Sequence, residues 1–294
     1  MTEAKIADLL PRIRKVQASE ITEWEIYRRL ARRAGPGKNG EILERIADDE
    51  KRHHDFWMEL TGEAQAPCRL RVMAYTLLTR FLGLTFTLKL MERGEDFAQK
   101  EYGRLREIEG VEKIIQEEEA HEKELLDMLH DEPLQYVGSI VLGLNDALVE
   151  LTGALAGFTL ALPDGRVVAV AGLVTGIAAS LSMAASEYLS SKSEMDGAGV
   201  KSPLKSAVYT GLAYVGAVIF LILPFFLLPG VFLALGTTLA VAVAIIAAFT
   251  FYLSVAKDLA FRARFFEMSA ISLGVAAVSF GIGWLARGLL GVEV

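Results

Sequence analysis

The stretch from Ser206 to Ala256 reads SAVYTGLAYVGAVIFLILPFFLLPGVFLALGTTLAVAVAIIAAFTFYLSVA, which is 51 residues without a charged side chain between Lys205 and Lys257. A helix needs about 20 apolar residues to cross the hydrocarbon core of a bilayer. The run is therefore long enough for two crossings, and Leu228-Pro229-Gly230 near its middle predicts the turn between them. We predict two membrane-spanning helices here, at about 206–228 and 231–256.

Two more stretches are almost free of charged side chains, and a third apolar stretch, at about 136–162, carries two acids. The 25 residues between Arg166 and Lys192 carry one charge, and the 19 residues between Glu267 and Arg287 carry none. Only helices of this length satisfy their own backbone hydrogen bonds inside lipid. The sequence therefore predicts five spans in all, the other three at about 136–162, 167–190 and 268–290.

The charge of the chain changes abruptly near residue 132. Charged side chains make up 50 of the first 132 residues and 17 of the remaining 162. Such a step indicates two solvents, so we predict a water-soluble domain at 1–132 and a membrane domain at 133–294. The net charge of −7 falls mostly on the first part, which favours a cation as ligand and argues against nucleic acid as a partner.

The predicted orientation rests on the loops. An odd number of spans puts the two termini on opposite sides of the membrane. The basic residues of two loops favour the cytoplasmic side; they are Lys192, Lys201, Lys205, Lys257, Arg262 and Arg264. The N-terminus has no apolar signal segment, so we expect the first domain in the cytoplasm and the protein in the plasma (inner) membrane.

Four helical segments are predicted before the spans, at about 2–33, 38–61, 68–102 and 106–130. Long helices with short connections indicate a four-helix bundle, so the whole chain is expected to be all-α. Folding back at the first Gly/Pro loop would bring Glu20 and Glu50 to the same height. The same argument pairs Glu95 with Glu118.

The bundle carries two Glu-x-x-His pairs. Residues i and i+3 share a helix face, so each pair can offer an oxygen and an imidazole nitrogen to one ion. Carboxylates and imidazoles facing inward from four helices suit two iron or manganese ions. The six predicted ligands are Glu20, Glu50, His53, Glu95, Glu118 and His121.

Two tyrosines and several further acids accompany this set. Tyr27 and Tyr102 each follow a predicted ligand, Glu20 or Glu95, by seven residues, which is two helical turns. We predict that they hydrogen-bond to the ligands or take part in redox chemistry. The remaining acids of these helices are predicted to lie on solvated faces; they include Glu44, Asp48, Asp49, Glu117, Glu119, Glu122 and Glu124.

This pattern resembles the ferritin-like, rubrerythrin-type di-iron family, whose repeat is an acid and a Tyr two turns apart followed by Glu-x-x-His on the next helix. The resemblance covers about residues 5–130. It implies that the six residues are iron ligands and that Glu92 is a seventh, which exchanges with oxidation state. The Cys-rich electron-transfer domain of rubrerythrins has no counterpart here, since the chain has the single Cys68.

Acidic side chains also occur inside the predicted spans. Asp146 and Glu150 lie one turn apart in the first span, where a centred Asp costs roughly 2.5 to 3.5 kcal/mol. Met183 and Glu187 share a stripe of the second span. Three acids without a basic partner in any span predict a cation pathway rather than a purely structural network.

Glycines flank the first two acids. Gly143, Gly153 and Gly157 continue the spacing of Asp146 and Glu150, so all five are predicted to share one face. Small residues on one face permit close helix contact. The simplest expectation is a homodimer in which the first spans of two chains meet, with the N-terminal bundle as a further contact.

The motifs Gly143-Leu144-Asn145-Asp146 and Ser182-Met183-Ala184-Ala185-Ser186-Glu187 resemble those of the vacuolar iron transporter family. Together with the bundle, the chain is similar to the membrane-bound ferritins, in which a rubrerythrin-type domain is fused to such a transporter. This resemblance implies a five-span homodimer that exports Fe2+, or Mn2+, from the cytoplasm in exchange for protons. The residues implied in the transport pathway are Asp146, Glu150, Met183 and Glu187.

A second function stays open at this point. The bundle could be a di-iron oxidase or peroxidase for which the spans serve only as an anchor. We rank it below transport because an anchor does not need three acids in lipid. The sequence leaves open whether the bundle oxidises, delivers or senses iron.

Overall fold

The computed structural model describes residues 3–127, 136–162, 164–194 and 202–290, without the side chains of residues 3–8, 95–101, 126–127, 194 and 290. Helices dominate this described part, which confirms the predicted all-α class. The chain divides into two compact units, Met1–Asp131 and Glu132–Val294.

The helices of the first unit are α1 (Glu3–Ala34), α2 (Lys38–Thr61), α3 (Arg69–Leu82), α4 (Leu84–Leu105) and α5 (Val111–Asp127). Helices α1 and α2 pack along each other, and Gly35 and Gly37 between them have positive φ, which glycine adopts without strain. Helix α1 also contacts α3 and α4, and α5 contacts α2 and α4.

The predicted unbroken helix at 68–102 is wrong. Gly83 separates α3 from α4 with φ 91° and ψ 166°, a conformation that L residues rarely adopt. The Thr79 hydroxyl donates to Oγ1 of Thr87 at 3.0 Å. Eight residues of straight helix would separate them by about 12 Å, so the chain turns back at Gly83. The apolar pattern on both sides hides this break, because a single glycine within a helical pattern is often tolerated.

Two apolar clusters hold the first unit together. One contains Ile26, Leu30, Leu43, Ile46 and Leu88, among others. The other contains Ile13, Val16, Trp57, Leu105 and Ile114, among others. The residues of α1, α2 and α5 that lie between these clusters in sequence include the predicted acids and histidines. A polar layer is thus enclosed between two apolar layers.

The second unit has five helices that are long and apolar enough to cross a membrane, which confirms the predicted number within the described residues. We call them spans 1 to 5; they are Val137–Ala161, Gly165–Ser193, Pro203–Leu227, Val231–Ala256 and Phe261–Leu289. Span 5 begins seven residues before its predicted start, because the helix continues through the charged residues Arg262, Arg264 and Glu267 outside the uncharged run.

Span 1 is not a regular α-helix. An α-helical segment, Val137–Asp146, leads into a π-helical turn, Ala147–Leu151, and then into a second α-helical segment, Thr152–Ala161. The wider turn alters the backbone pairing, and the buried Ser272 hydroxyl of span 5 donates to the Leu148 carbonyl at 2.5 Å. Such turns occur frequently at functional sites.

Glycines of span 1 pack against two other spans of the same chain. A Cβ on Gly143 would lie 2.3 Å from the Thr210 carbonyl oxygen of span 3. Beyond the turn, a Cβ on Gly157 would lie 3.2 Å from the Ser279 carbonyl oxygen of span 5. The inserted residue rotates the second half of the span, so these glycines allow close packing within the chain.

Candidate metal centre

The polar layer of the first unit brings four predicted ligands together. Ligand atoms of Glu20, Glu50, His53 and Glu118 all lie within 4.8 Å of one another, and three of the four residues are buried. They come from α1, α2 and α5. This group is a possible metal-binding cluster and the one found within the described residues.

His121 completes the symmetry of the group. Its Nδ1 lies 3.5 Å from Oε1 of Glu50 and 3.8 Å from Oε2 of Glu118. His53 Nδ1 lies 3.0 Å from Oε1 of Glu118 and 3.6 Å from Oε2 of Glu20. The two imidazole rings are stacked with their centroids 6.0 Å apart. Both histidines therefore direct Nδ1 towards the carboxylates.

The other imidazole nitrogens point to acids outside the group. His53 Nε2 donates to Glu117 at 2.8 Å, and His121 Nε2 donates to Asp49 at 2.9 Å. The prediction that Asp49 and Glu117 lie only on solvated faces is therefore wrong. A carboxylate on the far nitrogen fixes the ring and the tautomer of a metal-binding histidine. Sequence held the signal, because an acid directly precedes the Glu of both Glu-x-x-His pairs.

Glu20 is held by two aromatic side chains. Trp57 donates its indole N–H to Oε1 of Glu20 at 3.2 Å, and the Tyr102 hydroxyl donates to the same oxygen. The two rings are stacked, with centroids 6.2 Å apart. Both donors use one oxygen, so Oε2 of Glu20 is left directed into the group. Tyr102 follows Glu95 by two turns in the sequence, but its hydroxyl contacts Glu20 of α1.

The inner atoms of the group lack hydrogen-bond partners within the described residues. They are Oε2 of Glu20, Oε2 of Glu50 and Nδ1 of both His53 and His121. A buried polar atom without a partner is costly, and a buried charge without one is more so. Bound divalent metal would give these atoms the partners that they lack. Their oxygen and imidazole chemistry suits iron or manganese.

The charges within the group are strongly coupled. Burial, together with the carboxylates of Glu118 and Glu20, raises the pKa of Glu50 well above its usual value. Burial opposes ionisation of Glu118, but the adjacent imidazoles of His121 and His53 outweigh it and lower the Glu118 pKa to about 2. Burial also opposes protonation of His53, yet the adjacent carboxylates of Glu118 and Glu20 raise its pKa to about 11. Without an ion, protons compensate the carboxylates.

Glu23 is a residue that the sequence analysis missed. It lies one turn after Glu20 on α1, accepts a hydrogen bond from Ser19 at 2.9 Å, and lies 3.6 Å from Arg71. Burial and the charges of Glu20 and Glu118 raise its pKa to about 7. Its spacing of three residues from Glu20, which puts both side chains on one helix face, could have indicated it.

Three further residues were predicted for this site, namely Glu95, Glu92 and Tyr27. The side chain of Glu95 lies outside the described residues, and Glu92 is half-buried on α4 but not within the group. Tyr27 is buried in the apolar cluster with Leu30 and Leu43. Their roles at the metal site remain predictions.

The predicted pathway residues lie in two places within the membrane unit. Asp146, just before the π turn, and Glu150, within it, lie one turn apart, and their carboxylates are close enough to interact electrostatically. The fully buried Tyr214 of span 3 donates its hydroxyl to Glu150 at 3.2 Å. A phenol is thus the polar partner of this carboxylate pair; sequence reasoning missed it because Tyr214 is distant in the chain.

Glu187 is held near one end of span 1. Ser139 donates to it at 2.7 Å and Ser191 at 3.3 Å. Ser139 precedes Asp146 by two turns, so the described contacts do not join Glu187 to the Asp146 pair. Met183 is half-buried and packs against the apolar core of the membrane unit.

Comparison with known proteins adds one finding to this geometry. A search of curated proteins gave no match. Residues 137–199, which include Asp146, Glu150, Met183 and Glu187, match the model of the VIT family. With five apolar helices, the match supports an integral membrane protein whose membrane domain is of the vacuolar iron transporter type, and it suggests transport of iron or manganese ions.

Proposed function

We propose that this protein exports Fe2+, or Mn2+, from the cytoplasm across the membrane in exchange for protons. The observation that carries the proposal is the family match over spans 1 and 2, where the acids of the membrane unit are concentrated. Three acids lie in these spans: Glu187 and Glu150 accept hydrogen bonds from hydroxyl groups, and Asp146 lies beside Glu150.

The Asp146 and Glu150 pair supports the exchange of protons for metal. Two carboxylates one turn apart in a low dielectric cannot both stay ionised without a compensating cation. A divalent cation and protons are the two kinds of charge that can compensate such a pair, so the pair suits an exchange of one for the other. Tyr214 orients Glu150 through its hydroxyl. Met183 and Glu187 are proposed as further contacts of the ion along its path.

The first unit is proposed as a di-iron domain of the ferritin-like type that captures, oxidises or senses cytoplasmic iron. The five converging side chains fit such a centre, because their unpartnered atoms are oxygens and imidazole nitrogens. When bound, iron would supply redox chemistry at this layer. The protein's part is to orient the ligands, through Asp49, Glu117, Trp57 and Tyr102, and to release the protons that the ligands hold without metal.

A second candidate function is a membrane-anchored oxidase. The observation that favours it is a cavity of about 350 Å³ beside the metal group, lined by Tyr102, Glu118 and Glu122, among others. Such a cavity would admit a small oxidant to the centre. If this function is the principal one, the protein turns over iron at the first unit but moves none across the membrane.

The assembly and orientation belong to the same proposal. We propose a homodimer through span 1 and the first unit, with the first unit in the cytoplasm of a plasma (inner) membrane. Gly143, Gly153 and Gly157 of span 1 already pack against spans 3 and 5, so such a dimer would rely on other surfaces of the span.

Fe2+ uptake into proteoliposomes tests the transport proposal. The variant Asp146→Ala should lower the flux at least about tenfold, since it removes one member of the carboxylate pair. Asp164→Ala, which removes an exposed acid from the loop between spans 1 and 2, is the matched control and should leave the flux unchanged. Unchanged flux in a folded Asp146→Ala protein, or iron oxidation without any flux, would rule against transport.

A further inference from the structure

A cavity of about 420 Å³ opens between spans 1, 4 and 5, at the end where span 4 finishes and span 5 begins. We call it the span 1/4/5 pocket. Its size is within the usual range of ligand sites. Polar groups line one part of it, basic side chains another and apolar side chains the remainder, so it can hold an amphipathic molecule.

Two buried polar atoms in its lining have no partner within the described residues. They are Oγ1 of Thr250, a residue that is 2% exposed, and Oδ1 of Asn145. A threonine in an apolar helix usually donates to the carbonyl four residues earlier, and Thr250 does not. Unpartnered hydroxyl and amide groups are costly in such surroundings. Both atoms point to a polar ligand.

Lys257 and Arg264 supply positive charge to the pocket. The turn between the spans fixes Lys257, because its N–H donates to the Leu253 carbonyl at 2.9 Å and Asp258 follows with φ 52°. Lys257 forms no ion pair among the described residues. Arg264 lies 3.5 Å from Glu267, and both of these side chains are more than half exposed. Glu267 also lines the pocket, so two cationic side chains stand against one carboxylate, and this balance of charge favours an anion over a metal cation.

The remaining lining is apolar and includes Val141, Val149, Leu253 and Ile271. Lys257 directly follows span 4, and Arg264 lies in the first turn of span 5. Residues at the ends of spans lie at the depth of lipid phosphates. Basic pockets between membrane helices at this depth bind the headgroups of anionic lipids.

We propose that the span 1/4/5 pocket binds an anionic phospholipid whose headgroup carries a hydroxyl, of the phosphatidylglycerol type. The phosphodiester lies against Lys257 and Arg264 and accepts a hydrogen bond from Thr250. A headgroup hydroxyl donates to Asn145, and the glycerol and first acyl carbons lie along the apolar wall. A free phosphate would share the basic contacts but leave that wall without a partner.

Native mass spectrometry of the full-length protein, released from nanodiscs of equal phosphatidylglycerol and phosphatidylcholine content, tests the proposal. The wild-type protein should retain phosphatidylglycerol over phosphatidylcholine by on the order of tenfold. Lys257→Gln with Arg264→Gln should abolish this preference, and Thr250→Val should reduce it. Lys257→Arg with Arg264→Lys keeps the charges and should preserve it.

The matched control is Arg166→Gln with Arg287→Gln, which should keep the preference. It removes two charges from the side of the membrane opposite the pocket, at the start of span 2 and near the end of span 5. An equal loss in this control, or full retention in the Lys257 and Arg264 double Gln variant, would overturn the proposal. Millimolar inorganic phosphate should not displace the lipid. Displacement by phosphate would assign the pocket to a soluble anion and would also overturn it.

Discussion

At the scale of single residues, the first unit contains buried ligand atoms that neither packing nor hydrogen bonding accounts for. Glu20 and Glu50 each keep one oxygen without a partner, and His53 and His121 each keep Nδ1 without one. Leaving a buried polar atom without a hydrogen bond costs about 1–3 kcal/mol. These atoms belong to three helices and lie close together. A bound divalent cation is the kind of ligand that would give all of them a partner.

The acids behind the histidines can be tested directly. Asp49→Asn replaces the charged acceptor of His121 Nε2 by a neutral one, and we expect affinity for Fe2+ or Mn2+ to fall by about 10- to 100-fold. Titration calorimetry on the full-length protein in detergent would measure it. Asp48→Asn makes the same change at the exposed neighbour and should have no effect. Equal affinities in the two variants would remove the positioning role of Asp49.

The pH dependence of metal-free stability follows from the raised pKa values. The pKa of Glu23 is raised to about 7, so its stabilising contribution is complete below about pH 4.5 and is lost as the pH rises through 7. The pKa of His53 is raised to about 11, so its contribution is complete below about pH 6.5 and is lost as the pH rises through 11. Both groups make the metal-free protein less stable at higher pH.

Thermal unfolding between pH 5 and 8 would measure this effect. We expect Tm to fall with pH in the metal-free protein and to fall less in Glu23→Gln, which has no proton to lose. Added Mn2+ should flatten the dependence, because the ion replaces the protons. A Tm that rises over this interval without metal would contradict the proposed charge balance.

At the scale of helices, apolar runs and i+3 spacings predicted most of the architecture. The five spans and the convergence of Glu20, Glu50, His53 and Glu118 depend on helix length and period, which a sequence displays. The break at Gly83 and the π turn at Ala147–Leu151 depend on how helices pack, which local pattern does not display. The hydrogen bond from Tyr214 to Glu150 depends on the packing of span 3 against span 1, so the sequence alone did not predict it.

Close packing of spans 1 and 3 determines which glycines of the first half of span 1 can be replaced. Gly143→Ala would place its Cβ 2.3 Å from a backbone oxygen of span 3, which cannot move aside as a side chain can. We expect a loss of about 1–3 kcal/mol in stability, measured by unfolding in detergent. Gly138→Ala, in the same helical segment, meets nothing within 4 Å and should be neutral or slightly stabilising. Equal stability of the two variants would refute close packing of spans 1 and 3.

At the scale of the whole molecule, the chain combines a unit that holds a possible metal-binding cluster with a unit whose five apolar helices can cross a membrane. The family match extends over spans 1 and 2, which hold Asp146, Glu150 and Glu187. We propose that both units bind divalent metal, and this shared ligand would explain why they are joined in one chain.

Anomalous X-ray scattering at the iron edge, on crystals of the full-length protein grown with Fe2+, tests this account most directly. The predicted result is strong density among Glu20, Glu50, His53, Glu118 and His121, together with a weaker peak beside Asp146 and Glu150. The contradicting result is a fully ordered first unit with no anomalous density in that group and with its carboxylates paired to lysine or arginine instead.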